Sequence, residues 1–192
     1  KRVEELGESW SGKIPKLTNS GKFERRRHED ILQLVSSEEL QIPKPDSIYH
    51  AVIIAAYNES YEVIQPTVES VSATTTNNKQ LIVYLAYEER GGKEIEQTAK
   101  RLKKEYGSAF CTFQTVKHPK DIAGEVPGKG PNITFAGYEL QKWCDNHDIS
   151  YDQVVVTTLD SDNRPYKSYF DYVSYEYLVR PNRERLSYQP IA

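Results

Sequence analysis

From His50 onward the sequence alternates short apolar runs rich in β-branched residues with longer stretches of helical periodicity, and that alternation leaves few folds open. Residues 51–56, 81–86, 110–116 and 154–159 read as strands. Residues 63–73, 94–106 and 132–146 read as the helices between them. In the first helix, Pro66 confines the regular part to about residue 65 onward. Ile95, Ala99, Leu102 and Tyr106 share one side of the second, with Gly107 as its stop. Ile133, Ala136, Leu140 and Trp143 share one side of the third. Residues 167–178 read as a further helix, and 185–191 as the start of another strand. Strands separated by helices predict a three-layer, Rossmann-like α/β domain with a largely parallel sheet.

Residues 1–46 have a different character. They are polar, carry the basic run Arg25-Arg26-Arg27-His28 and end in Pro43-Lys44-Pro45, an extended connector. One short amphipathic helix is expected over 29–40, with Ile31, Leu32, Leu34 and Val35 on its apolar side. The pattern therefore divides into a polar, basic extension over 1–46 and an α/β domain over 47–192. The arginines read as a solvated face, or alternatively as a contact for anionic lipid beside a membrane.

A chain of 192 residues, 38% hydrophobic, has enough apolar surface for one sizeable core and little for two. Its net charge of -3 argues against nucleic acid as the main partner. Cys111 and Cys144 fit no metal or redox spacing and are expected to be buried free thiols in a reducing compartment. The sequence has no methionine, so Lys1 is not a natural start and a longer parent protein is expected. No apolar run approaches the ~20 residues that span a bilayer, and the segment itself is expected to be soluble.

The chemistry-bearing residues fall at the predicted strand ends. Val154 to Leu159 is continuously apolar or β-branched, which predicts burial on both faces. The carboxyl end of such a strand presents groups to ligands. There stand Asp160-Ser161-Asp162, two acids able to hold a hard divalent cation that in turn holds a diphosphate, although acid-x-acid triplets also occur in solvated loops. The first strand ends in Ala56-Tyr57-Asn58-Glu59, a tyrosine and an acid suited to a base, or to capping the next helix. After the second come Tyr87-Glu88-Glu89-Arg90-Gly91-Gly92, carboxylates suited to a base imide or ribose hydroxyl, or a solvated turn.

The run Gly124 to Gly130 is not a phosphate loop of the P-loop kind. Its spacing is one residue short, no Ser or Thr follows Lys129, and no buried strand leads into it. It remains a loop with one cation opening a helix whose free amides favour anions. Lys129 is either a diphosphate contact or a surface lysine in a turn. His118 has no partner at ligand spacing and reads as structural, and neither a nucleophile elbow nor a His-Glu-x-x-His pair occurs.

Taken in order, Ala55-Ala56-Tyr57-Asn58-Glu59, the acids after the second strand, Gly128-Lys129-Gly130-Pro131-Asn132 and Asp160-Ser161-Asp162 resemble the signatures of inverting family 2 glycosyltransferases of the GT-A fold. The resemblance runs from about residue 48 to 192. It implies a GT-A-like domain with Tyr57 and Glu59 beside a nucleoside. Glu88, or its neighbour Glu89, would contact the base where the family usually has an aspartate. Asp160 would lie near the ribose and metal, Asp162 would coordinate Mg2+ or Mn2+ bridging the diphosphate, and Lys129 would lie nearby. The implied donor is a nucleoside diphosphate sugar, a UDP-sugar first of all, and the acceptor a glycan, a lipid or another hydroxyl compound. The implied reaction is a direct displacement at the anomeric carbon, with a carboxylate base on the acceptor.

The family's acidic base motif and its Gln-x-x-Arg-Trp lie beyond the Asp-x-Asp and have no counterpart here; Glu176 and Glu184, the only later glutamates, match neither. The resemblance thus implies a donor-binding part, incomplete on its C-terminal side, with the base beyond Ala192 and no useful turnover alone. Many family members are membrane enzymes active on the cytoplasmic side, so a membrane-attached parent with this domain in the cytoplasm is expected. The glycosylation sequons at Asn58 and Asn132 both fall in the implied site and are expected to stay unmodified. Two alternatives stand beside this: a non-catalytic GT-A-like module that binds a nucleotide or a partner, and a sugar nucleotidyltransferase. The latter normally carries a Gly-rich basic loop where Tyr57-Asn58-Glu59 stands.

Overall fold

A computed structural model describes residues 1–12 and 22–189. The chain forms two compact units, one of Lys1–Ile48 with Asp171–Ala192, the other Tyr49–Phe170.

The second unit is an α/β domain on an all-parallel sheet. In chain order it contains β1 (Tyr49–Ala56), α3 (Tyr61–Ser72), β2 (Leu81–Glu88), α4 (Gly92–Tyr106), β3 (Thr112–His118), α5 (Lys129–Asn146) and β4 (Val154–Asp160). The strand order is β3-β2-β1-β4, so β1 has a neighbour on each side. Side-chain alternation divides each strand between two helical layers. Val52, Ile54, Val83, Leu85 and Phe113 pack on Ile64, Val68 and Val71 of α3 and on Ile95, Ala99 and Leu102 of α4. Ala51, Ile53, Ile82, Tyr84 and Val116 pack on Ala136, Leu140 and Cys144 of α5. The three layers and parallel sheet are those the sequence pattern predicts.

Several boundaries differ from expectation for local reasons. Helix α3 begins at Tyr61 and carries Pro66 inside it. The amide that Pro66 lacks would have bonded the carbonyl of Glu62 in the first turn, so only one early bond is lost. Helix α5 starts at Lys129 rather than 132, with Pro131 third in line, where the N–H is an unused helix-end donor in any case. The predicted double-sided burial of β4 does not occur. Val155, Thr157 and Leu159 are buried, but Val156 is 51% exposed and Thr158 is exposed with it. Strand β4 lies at the sheet edge, and α5 leaves the Val156–Thr158 side of it uncovered. Cys144 is buried as expected, whereas Cys111 is exposed at the turn into β3, with its amide donating to Asn78 and Leu81 carbonyls.

The first unit contains α1 (Arg2–Trp10), α2 (Lys22–Ser36) and, from Asp171 on, most of α6 (Tyr169–Val179). Helix α1 has no counterpart in the sequence expectation, and α2 lies earlier than the predicted 29–40. Leu6, Leu32 and Val35 are buried. Buried His28 links three segments: Nε2 lies 3.0 Å from Glu5 Oε2, and Nδ1 lies 2.9 Å from the Tyr175 hydroxyl. The predicted strand over 185–191 does not form among its described residues. Arg183–Arg185 is a 3-10 turn preceded by Asn182 at φ 58°, residues 186–189 join no sheet, and 190 and 191 lie outside the described residues. Among the described residues, no helix is long and apolar enough to cross a membrane.

Candidate functional site

The sheet order locates the site before any side chain is considered. From β1 the chain winds outward through α3 and α4 to β2 and β3, then returns through α5 on the other face to β4 on the far side of β1. The chain thus reverses its direction across the sheet between adjacent β1 and β4, and the carboxyl ends at such a topological switch point are where open α/β sheets bind ligands. The register pairs Ala55 with Asp160, so Tyr57 and Glu59 follow one strand end and Asp162 follows the other.

The N-terminus of α5 also arrives there. Lys129 Nζ lies 2.8 Å from Asp160 Oδ1. The hydrogen bond to Asp160 holds the Lys129 ammonium above its ordinary pKa; desolvation opposes it next, and the Asp160, Glu59 and Asp162 charges add lesser upward contributions. Lys129 thus pairs with one carboxylate, Asp160, within electrostatic reach of two more, Glu59 and Asp162. Gly128, immediately before it, has φ 156° and ψ -179°, a region open essentially to glycine alone.

Each turn has its own anchor. Glu59 Oε2 accepts the Tyr57 amide at 2.6 Å, which folds the turn after β1 and leaves the Tyr57 ring about half exposed. Thr67, fully buried on α3, donates its hydroxyl to the Ser161 carbonyl at 2.8 Å, and the Asn163 amide bonds the Asp160 carbonyl at 3.1 Å. These bonds hold the Asp160–Asp162 turn from beneath while the Asp162 side chain is exposed.

Glu88 is buried at the end of β2 and paired with Arg90, whereas Glu89 accepts the Lys120 amide at 3.2 Å. Of the two acids, Glu88 is the one fixed at the strand end. It stands beyond β1 from Asp160, and no contact joins it to the Lys129 cluster among the described residues. His118 at the end of β3 is buried, lies 3.0 Å from a Glu125 carboxylate oxygen and meets the Phe135 ring edge-on.

Asn132, a motif and sequon residue in the sequence, is a positioning residue in the structure. At 1% exposure, its Nδ2 donates to the carbonyl oxygens of Ala56 at 3.2 Å and Ala86 at 3.1 Å. It therefore ties the first turn of α5 to the ends of both central strands, and Lys129 lies one turn before it. Its amide nitrogen is engaged and enclosed, so the sequon at Asn132 is closed to a glycan in the folded chain. Thr67 was also legible: it shares the inward 64, 67, 68, 71 stripe of α3, and a polar residue on such a stripe needs a partner.

For a cation, the donor set fits a hard ion that keeps its waters. Asp160 and Asp162 supply carboxylate oxygens at one strand end, the one or two such ligands that Mg2+ usually takes from a protein. Among the described residues, no group of three or more His, Cys, Asp or Glu side chains is gathered for a metal. An ion at Asp160 and Asp162 would complete its shell with water and ligand oxygens. No protein-family model matches the chain, and no curated protein matches it.

Proposed function

We propose that the Tyr49–Phe170 unit binds a nucleoside diphosphate sugar, in the first place a UDP-sugar, with the help of Mg2+ or Mn2+. It does so as the donor-binding part of an inverting glycosyltransferase resembling family 2. The observation that carries this reading is the Lys129–Asp160 ion pair at the β1/β4 switch point, with the Glu59 and Asp162 carboxylates within electrostatic reach of the same lysine. Acids alone would repel a diphosphate; acids with a lysine and an open helix end suit a diphosphate that arrives with a divalent cation.

Asp160 and Asp162 would hold the cation, which supplies charge stabilisation to the departing diphosphate. Lys129 and the first amides of α5 add positive potential on the same side. Tyr57 offers a half-exposed ring to the nucleoside, and Glu88 an acceptor at the neighbouring strand end. An acceptor hydroxyl would form its bond to the anomeric carbon as the bond to the diphosphate breaks, its proton passing to a carboxylate base, and the cation and Lys129 would compensate the charge of the departing nucleoside diphosphate.

Calorimetric titration of UDP into the chain, with and without Mn2+, tests the reading. Binding should require Mn2+ and be lost in Asp162→Ala, whose exposed position leaves the fold intact. Metal-independent binding, or binding that survives Asp162→Ala unchanged, would refute it.

A further inference from the structure

The lysine at this site occupies a position that a divalent cation would need. Lys129 Nζ takes Asp160 Oδ1 at 2.8 Å, with Glu59 and Asp162 within electrostatic reach. An ammonium and a divalent ion cannot share that oxygen at bonding distance without strong mutual repulsion. We propose that Lys129 is an exchangeable internal counter-ion: it holds the cation's place on Asp160 and transfers to the diphosphate when metal and nucleotide arrive together. The inference rests on the proposed nucleotide site and adds to it a coupling between its two ligands.

The anchoring suits an exchange of this kind. Asn132 fixes the helix turn below, so Lys129 can change partner by side-chain rotation alone, without movement of α5. The pair is exposed, 62% for the lysine side chain and 49% for the aspartate, which makes it a weak bond that water already competes for. A lysine suits the task better than an arginine clamp, being a compact charge on a flexible four-carbon stem. A diphosphate offers it new acceptors next to the same helix end. Metal alone must displace the ammonium and leave it unpaired; metal with diphosphate displaces and re-pairs it. The two ligands therefore favour each other, and the coupling is reciprocal.

The test titrates Mn2+ alone, then UDP at saturating Mn2+, into the wild-type chain, Lys129→Ala and Lys129→Arg, with electron paramagnetic resonance reading free Mn2+. Lys129→Ala should bind Mn2+ alone about fivefold tighter, the equivalent of losing a ~1 kcal/mol surface pair. The same variant should bind UDP at saturating Mn2+ several-fold more weakly, and Lys129→Arg, which keeps the charge but grips Asp160 more firmly, should bind Mn2+ alone no more tightly than wild type. Opposite signs in the two titrations are the signature of exchange. An Mn2+ affinity that is unchanged, lowered or undetectable in Lys129→Ala overturns the inference, even where wild type binds UDP with Mn2+ and the nucleotide reading stands. Tighter Mn2+ in Lys129→Ala with no UDP binding by any chain removes both the exchange and the nucleotide reading, leaving a lysine that merely shields Asp160.

Discussion

The Cβ that Gly91 lacks would stand 1.8 Å from the main-chain oxygen of Tyr57. The turn after β2 thus rests directly on the turn after β1, and backbone contact sets the distance between them. Gly91→Ala forces one turn to move, because the obstructing atom is main chain and cannot rotate away. It should cost about 2–3 kcal/mol in urea unfolding and, through the shift of Tyr57, weaken the proposed nucleotide binding. Unaltered stability would show that the turns are further apart than this packing requires.

Asn132→Ala should be among the most damaging small substitutions in the domain. It leaves the enclosed carbonyls of Ala56 and Ala86 without their donor, an expected loss of about 2–3 kcal/mol. Asn132→Asp should be at least as costly, since a carboxylate oxygen would face two carbonyl oxygens. Chemical denaturation of the two variants checks both.

His28 gives the first unit a predictable response to acid. Burial is the main cause holding its pKa below the ordinary 6.5, opposed by the Glu5 hydrogen bond and charge and by Glu29, and assisted by Arg2. The unfolded chain therefore takes up a proton at higher pH than the folded one. The stability contribution is complete above about pH 6.5 and drains away as pH falls from there through the folded value. Circular-dichroism melts between pH 7.5 and 5.5 should show falling stability, with a shallower slope in His28→Gln. Equal slopes would place the acid response elsewhere.

The two sides of β4 should answer oppositely to one kind of change. Val156→Thr, on the exposed side, should alter stability by no more than about 0.5 kcal/mol. Val155→Thr, on the buried side of the strand, encloses a new hydroxyl away from water and should cost about 1–2 kcal/mol. Paired thermal melts decide this. Matching losses would mean that both sides are covered in solution.

Much of the second unit was readable because its signals are local. Ile95, Ala99 and Leu102 repeat at helical spacing, and the strand runs are long enough to stand out, so α4 and all four strands emerge within a few residues of their ends. Misplaced features depend on neighbours that no local window contains. Val156 looks like Val155 in sequence; only the edge position of β4 separates them. Residues 185–191 have strand composition but no strand beside them among the described residues. The acids at the strand ends were legible as chemistry, whereas Lys129 on Asp160 and Asn132 across Ala56 and Ala86 join residues far apart in sequence.

Because β1 lies between β2 and β4, the site also has an order of assembly during synthesis. Strands β1 and β2 can pair soon after both leave the ribosome, but Ala55 must wait about a hundred residues for Asp160 to arrive beside it. Until then the Asp-x-Asp turn does not exist and Lys129 has no carboxylate to meet. In a growing chain, the Lys129–Asp160 pair and the four-stranded sheet are completed at the same moment, so the proposed site has no form earlier than the whole sheet.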